Sequence, residues 1–276
     1  MSISAKDVKS LRDKTGAGMM DCKKALKESG GDMDKAIEFL RKKGQKVSEK
    51  RADREADQGL VLSRISDDAT KAVMIEINCE TDFVARNEDF QNQAEKFLDV
   101  AFENEIATVS ELLQEEVDGM TIEKHLESMI GKIGEKIEIN KVVFVKTDGG
   151  LVDYIHPGNQ LGVLVEFEDQ VEDDQIGKNV AMQIAAMNPL AVVRDNVDAS
   201  VVEKELEIAK DQLINEGKPK EIAEKAAKGK LRRFYEERVL LEQKYVKDNA
   251  ISVKEYLEQN DAPLVRSFHR LQLGES

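Results

Sequence analysis

The chain is predicted to be an α+β protein made of an N-terminal three-helix head, two similar α+β core subdomains and an antiparallel coiled-coil helical hairpin. Three observations support this. Residues 1–45 carry apolar side chains at helical spacing, interrupted by glycine clusters. A strand-turn-strand-helix pattern occurs twice: Gly59-Leu60-Val61 is echoed by Gly150-Leu151-Val152, and Ala72–Ile77 by Gly162–Phe167, at offsets of 91 and 90 residues. Residues 198–244 are helical in pattern throughout, apart from the stop-and-restart Gly217-Lys218-Pro219.

In the head, Ser4-Ala5-Lys6-Asp7 resembles a capping box with Asp in place of the usual Glu, and it opens a helix carrying Val8 and Leu11. Thr15-Gly16-Ala17-Gly18 breaks that helix. A second follows with Met19, Cys22 and Leu26 on one side, where a head this small is expected to use both Met19 and Leu26 in its core. Gly30-Gly31 ends it, and Asp32 caps a third helix bearing Met33, Ile37 and Leu40, which is expected to stop before Gly44. Residues 46–57, with Lys50, Arg51 and Arg54, read as a charged linker, helical or flexible, with almost nothing to bury.

The first core subdomain, 58–135, opens with strands at Gly59–Ser66 and Lys71–Glu80 joined by Asp67-Asp68-Ala69-Thr70. Asn87 is a good N-cap with Glu88 and Asp89 in the first turn, where the helix dipole favours negative charge. Phe83 therefore falls before the regular helix, in the junction Asn78-Cys79-Glu80-Thr81-Asp82-Phe83-Val84-Ala85-Arg86. An aromatic there either packs into its own core or is shown to a partner, and the pattern alone leaves both open. Ser110 and Thr121 are each expected to start a short helix, the second with Ile122, Leu126, Ile130 and Ile133 at helical intervals.

The second subdomain is assigned to 136–276, with the hairpin inserted at about 198–244. Its strands are expected at Ile137–Lys146, Leu151–Ile155 and Leu161–Glu168, with turns at Asp148-Gly149-Gly150 and His156-Pro157-Gly158-Asn159. A helix with Ile176, Val180, Ile184 and Met187 ends at Asn188-Pro189. Val202, Leu206, Ala209 and Leu213 alternate in steps of four and three along the first arm of the hairpin. Ser252-Val253-Lys254-Glu255 is a capping box, and Leu264–Leu273 alternates as a last strand.

A chain of 276 residues with 41% hydrophobic and 35% charged content has room for two or three domains with real cores. No apolar stretch is long enough to span a bilayer, and the start Met1-Ser2-Ile3-Ser4 lacks signal and transit character, which places the protein in the cytoplasm. Cys22 and Cys79 have no metal-ligand spacing and are expected to stay reduced. The net charge of -14 is uneven: residues 1–54 carry 15 Lys and Arg against 9 Asp and Glu (+6), and the remainder 26 against 46 (-20). An acidic body repels phosphates, and the basic head has Phe39 as its one aromatic residue, so it lacks the aromatic interleaving of a single-strand binder.

Signals for covalent chemistry are missing. His125, His156 and His269 have no ligand partner at metal spacing, and neither Thr15-Gly16-Ala17-Gly18 nor Lys132-Ile133-Gly134-Glu135 matches a nucleotide-binding loop. No catalytic residue, metal or cofactor and no direct nucleotide binding is expected. The residues alone thus point to a non-enzymatic protein, with an adaptor or an RNA-binding accessory acting through the head as open alternatives.

Two stretches carry a resemblance. Leu11-Arg12-Asp13-Lys14-Thr15-Gly16-Ala17-Gly18-Met19-Met20-Asp21-Cys22-Lys23-Lys24-Ala25-Leu26 and Glu76–Arg86 closely resemble the two signatures of bacterial elongation factor Ts. The match continues through Lys132–Glu135, His156-Pro157-Gly158, Ile184-Ala185-Ala186-Met187 and Gly217–Lys225. The resemblance implies a head like a ubiquitin-associated domain, a two-part core, and the activity of a guanine-nucleotide exchange factor for elongation factor Tu. It further implies that Asp82 and Phe83 intrude beside the partner's magnesium site, and that Ile133, Gly134 and His156 press on its phosphate-binding loop. Arg12, Met19, Met20 and Lys23 would dock the head on the GTPase domain, and Tyr245 and Val246 would touch a distal domain, on a looser match. The hairpin is a dimerisation element in some members, so a homodimer through it is an open expectation. Some members continue into a further helical module beyond the stretch matching Gly274-Glu275-Ser276, and contacts made by that module are expected to be missing here.

Overall fold

The computed structural model of the protein describes residues 3–275. Three helices open the chain: α1 (Ala5–Thr15), α2 (Met19–Glu28) and α3 (Met33–Arg51). Ser4 and Asp7 form the full reciprocal capping box on α1, and Gly16 closes that helix at φ +65°, a left-handed conformation open to glycine at little cost. Val8, Leu11, Cys22, Ala25, Leu26 and Ala36 make the small core between the three helices.

Gly44 does not stop the third helix. α3 runs through it to Arg51, because Gly44 lies where α3 crosses α7 (Ile122–Ile133) and faces Gly131. Val47, one turn on, packs against the first core cluster, so the segment read as a charged linker does bury side chains. The crossing joins head and core directly.

After α3 come β1 (Gln58–Ile65), β2 (Lys71–Cys79), the one-turn helix α4 (Asp82–Ala85) and α5 (Glu88–Glu103). Then follow α6 (Val109–Gln114), capped by Thr108, two residues before the expected Ser110, and the small ribbon β3 (Glu116–Val117) and β4 (Met120–Thr121) ahead of α7. β5 (Ile137–Lys146) pairs with β2. The pattern places β5 in the second subdomain; the structure makes it the third strand of the first sheet, ordered β1-β2-β5, so the expected boundary at 135/136 cuts through that sheet.

β6 (Gly150–Ile155), β7 (Leu161–Phe167) and the last strand β10 (Val265–Gln272) form the second sheet, ordered β10-β7-β6, and α8 (Asp174–Met187) packs on it. In both sheets the second hairpin strand is central and a strand from much later in the chain covers its other edge. The helical hairpin is α9 (Ala199–Asn215) and α10 (Lys220–Arg238), closed by Ala209, Leu213, Ala223 and Ala227. A ribbon of β8 (Lys244–Tyr245) and β9 (Asp248–Ser252) leads to α11 (Val253–Gln259) with its Ser252/Glu255 capping box.

Period-two alternation on β2 divides its side chains between two layers. Val73, Ile75, Ile77 and Cys79 join α5 and α7 in one core, while Ala72 and Met74 turn the other way and, with Val61, meet Leu151, Leu164 and Leu271 of the second sheet. The sheets approach closely at Gly162, where a Cβ would lie 2.6 Å from Val61 Cγ1 and 2.9 Å from Met74 Sδ. The two sheets therefore share one packed apolar layer.

Candidate functional site

β2 delivers the chain to an exposed corner. Thr81 is extended (φ -129°, ψ 153°) and its hydroxyl accepts from the Val84 amide, which starts α4. The single turn buries Val84 and Ala85 and leaves Phe83 83% exposed. An exposed phenylalanine forgoes roughly 1.5–3 kcal/mol of burial, so its value to the protein lies outside its own core. Asn87 caps α5 as expected, and Gln91 Nε2 donates to the Ala85 carbonyl at 3.1 Å, which fixes the exit from the turn. Asp82 pairs with Arg86 at 3.0 Å, an exposed contact of little energetic weight.

Two carboxylates brace the corner. Glu135 accepts from Thr81 twice, from the amide at 3.0 Å and from the hydroxyl at 2.8 Å. Glu80 accepts from Arg51 at 2.6 Å, Arg54 at 3.1 Å and the Lys136 amide at 2.6 Å, which ties the end of α3 to the end of β2. Burial works to raise the pKa of Glu80, but the Lys136 amide and the two guanidiniums outweigh it and hold the carboxyl below its ordinary value. A carboxyl depressed in the folded state contributes stability that is present above its unfolded value of 4.5 and is lost as pH falls through the lower folded value. The thermal midpoint is thus expected to fall more steeply below about pH 4.5 for the parent than for Glu80→Gln; parallel midpoint curves would show that the latch adds nothing. Beneath the corner, burial, with the nearby Glu135 charge second, pushes the Cys79 thiol up to about 12, so it serves as a small buried side chain with no nucleophilic role.

The other positions predicted for the core lie at the end of α7 and on the turn after β6. Ile133 is half-buried at the end of α7, and Gly134 ends that helix at φ +82° directly before Glu135. His156 is exposed after β6, with Nδ1 and the Tyr154 hydroxyl 2.8 Å apart. Its turn reaches the first sheet, where the Val61 amide donates to the Asn159 carbonyl at 2.6 Å. A groove of about 350 Å³ runs between Asp82 and Arg86 on one side and Gly158 and Asn159 on the other.

Arg12, Met19, Met20 and Lys23 are all exposed on the head. The expectation that Met19 fills the core fails: Cys22, Ala25 and Leu26 take that side, and Met19, in the first turn of α2, lies past the core's edge at 52% exposure beside Met20 at 75%. Tyr245 also departs from expectation. It is buried and stacked on Tyr256 with ring centroids 4.2 Å apart, so only Val246 of that pair reaches the surface. Sequence reasoning passed over Glu80, Thr81 and Glu135 as site-building residues, although all three stand inside the quoted motifs. A carboxylate has no periodic signature, and only the fold shows which donors it meets.

The corner thus exposes an aromatic on a braced one-turn helix, and the head exposes a second apolar patch at Met19 and Met20. Among the described residues no group of His, Cys, Asp and Glu could hold a metal ion, and no helix is long and apolar enough to cross a membrane. The family model for elongation factor TS matches residues 80–275. Elongation factor Ts of Prosthecochloris aestuarii is 47% identical over 284 aligned residues covering 99% of both chains. The proteins of the same name from Chlorobium phaeobacteroides and Amoebophilus asiaticus are 46% and 45% identical, over 99% of this chain and 99% and 100% of theirs. The chain belongs to the elongation factor Ts family, a family of translation elongation factors.

Proposed function

We propose that the chain is a cytoplasmic guanine-nucleotide exchange factor that promotes GDP release from elongation factor Tu. The observation that carries this reading is Phe83, a large apolar side chain held out in solvent on a corner fixed at both ends. GDP in a GTPase is held by phosphate contacts and Mg²⁺, so a rigid aromatic wedged beside those elements weakens binding without competing for the base. Ile133, Gly134 and His156 flank the wedge, and Arg12, Met19, Met20 and Lys23 supply a second contact through the head. Coupling is reciprocal: whatever factor lowers GDP affinity also lowers the affinity of this chain for the GDP-bound partner, so GTP can displace it at the end of the cycle. The shared strand order of the two sheets supports reading the core as a duplicated unit with one contact loop from each copy.

The test is release of a fluorescent GDP analogue from preloaded elongation factor Tu, with this chain in catalytic amount. Acceleration of release is expected; a rate equal to the spontaneous one removes the reading.

A further inference from the structure

We propose that Glu135 is a positioning residue for nucleotide exchange: its carboxylate clamps Thr81, the residue before Asp82 and Phe83, and thereby fixes the direction of the wedge. The inference rests on the exchange reading above and adds to it the part that makes the corner stiff. Thr81 offers two donors, the amide and the hydroxyl, and each meets a different oxygen of Glu135. A two-point, charge-assisted contact restricts both the position and the rotation of the capping residue. Since Thr81 also starts α4, any slack there swings Phe83 directly.

The clamp joins two parts of the candidate surface. Glu135 follows Gly134 at the end of α7, so one carboxylate locks the Asp82–Phe83 tip to the Ile133–Gly134 helix end across 54 positions of sequence. A wedge displaces what it touches only if it is held more firmly than its target; a loosely capped tip would turn aside and be ordered only on contact, at an entropic cost taken from exchange. Glu80 cannot substitute, because Arg51, Arg54 and the Lys136 amide already occupy its oxygens and it faces α3.

The experiment measures GDP release from elongation factor Tu as a function of concentration for the parent, Glu135→Gln, Phe83→Ala and the double variant. Gln keeps the shape but has only one acceptor oxygen, and its amide group faces a donor. Glu135→Gln is expected to lower the maximal release rate about tenfold, with the half-saturating concentration changed less than about twofold. In the Phe83→Ala background it is expected to cause no further loss, because positioning has no effect without the side chain it positions. Glu135→Asp, which keeps the charge, is expected to recover part of the rate. If Glu135→Gln fails to fold, Thr81→Val, which removes the hydroxyl leg together with its cap on the Val84 amide, is expected to cost at least about threefold.

A maximal rate within twofold of the parent for Glu135→Gln, with Phe83→Ala slow, overturns the clamp and leaves the exchange reading standing. An equal loss in both backgrounds also overturns it, since Glu135 would then act independently of Phe83. Phe83→Ala as fast as the parent overturns clamp and wedge together.

Discussion

Phe83→Ala is expected to lower the maximal rate at which this chain accelerates GDP release by about 30- to 100-fold, while shifting its own thermal midpoint by less than about 1 °C. The magnitude follows from the side chain. Moving a fully exposed phenylalanine into a partner's groove is worth roughly 1.5–3 kcal/mol, and each 1.36 kcal/mol lost from the barrier is about tenfold in rate. The near-absence of a stability change follows from position: at 83% exposure the ring gives up almost no buried contact when it is removed. Phe90 and Phe97, seven and fourteen positions later, are fully buried and supply the contrast. Their replacement by alanine is expected to destabilise the fold by about 3–5 kcal/mol. If Phe83→Ala instead behaved like Phe90→Ala, losing midpoint and activity together, the ring would be a structural residue and the wedge would have to be abandoned.

That contrast also shows where the sequence is legible. Phe90 and Phe97 belong to a helical apolar stripe, and Asn87 marks the start of their helix, so their burial can be read from spacing. Phe83 sits between two periodicities. Its neighbours Val84 and Ala85 are buried and it is not, a difference set by a single helical turn too short to leave a pattern. Only the family resemblance pointed to it. Long-range pairing is the second thing spacing does not carry: β5 has the alternation of a strand, but nothing in its residues says that its partner is β2, some seventy positions earlier, and not the strand that follows it. Packing environment is the third. Met19 and Leu26 share a helical face, yet only Leu26 lies over the small core, and Tyr245 looks like a surface residue until Tyr256 is brought against it. Gly44 departs from its expected place for a related reason. Glycine after an amphipathic helix usually marks a C-cap, whereas here it opens space for another backbone.

Gly131→Val is expected to undock the head from the core without weakening the helices themselves. A Cβ on Gly131 would lie 2.8 Å from Gly44 Cα, and one on Gly44 would lie 3.0 Å from the Glu127 carbonyl oxygen. Both obstacles are backbone, so no rotamer change relieves them and α3 and α7 must move apart. Intrinsic preference works the other way, since glycine is among the poorest residues in a helix interior, by about 0.8–1.0 kcal/mol relative to alanine. Any loss therefore comes from the crossing, with overpacking expected to cost about 1–3 kcal/mol. The consequence should appear first as faster amide hydrogen exchange over α3 from Gly44 to Arg51, with β2 and α5 unchanged. For exchange activity the expectation differs from that for Phe83. On the proposed reading, a head held rigidly presents Arg12, Met19, Met20 and Lys23 at a fixed distance from the corner, so that its contact would add to binding without a fresh search. Releasing it should raise the half-saturating concentration for nucleotide release about tenfold and lower the maximal rate less than Phe83→Ala does, because the two Glu135–Thr81 hydrogen bonds hold the tip to the end of α7 without any group from α3, although the Arg51–Glu80 tie is loosened. If Gly131→Val kept both its hydrogen-exchange protection and its half-saturating concentration, the head would be working as a tethered module and the glycine crossing would have no part in recognition.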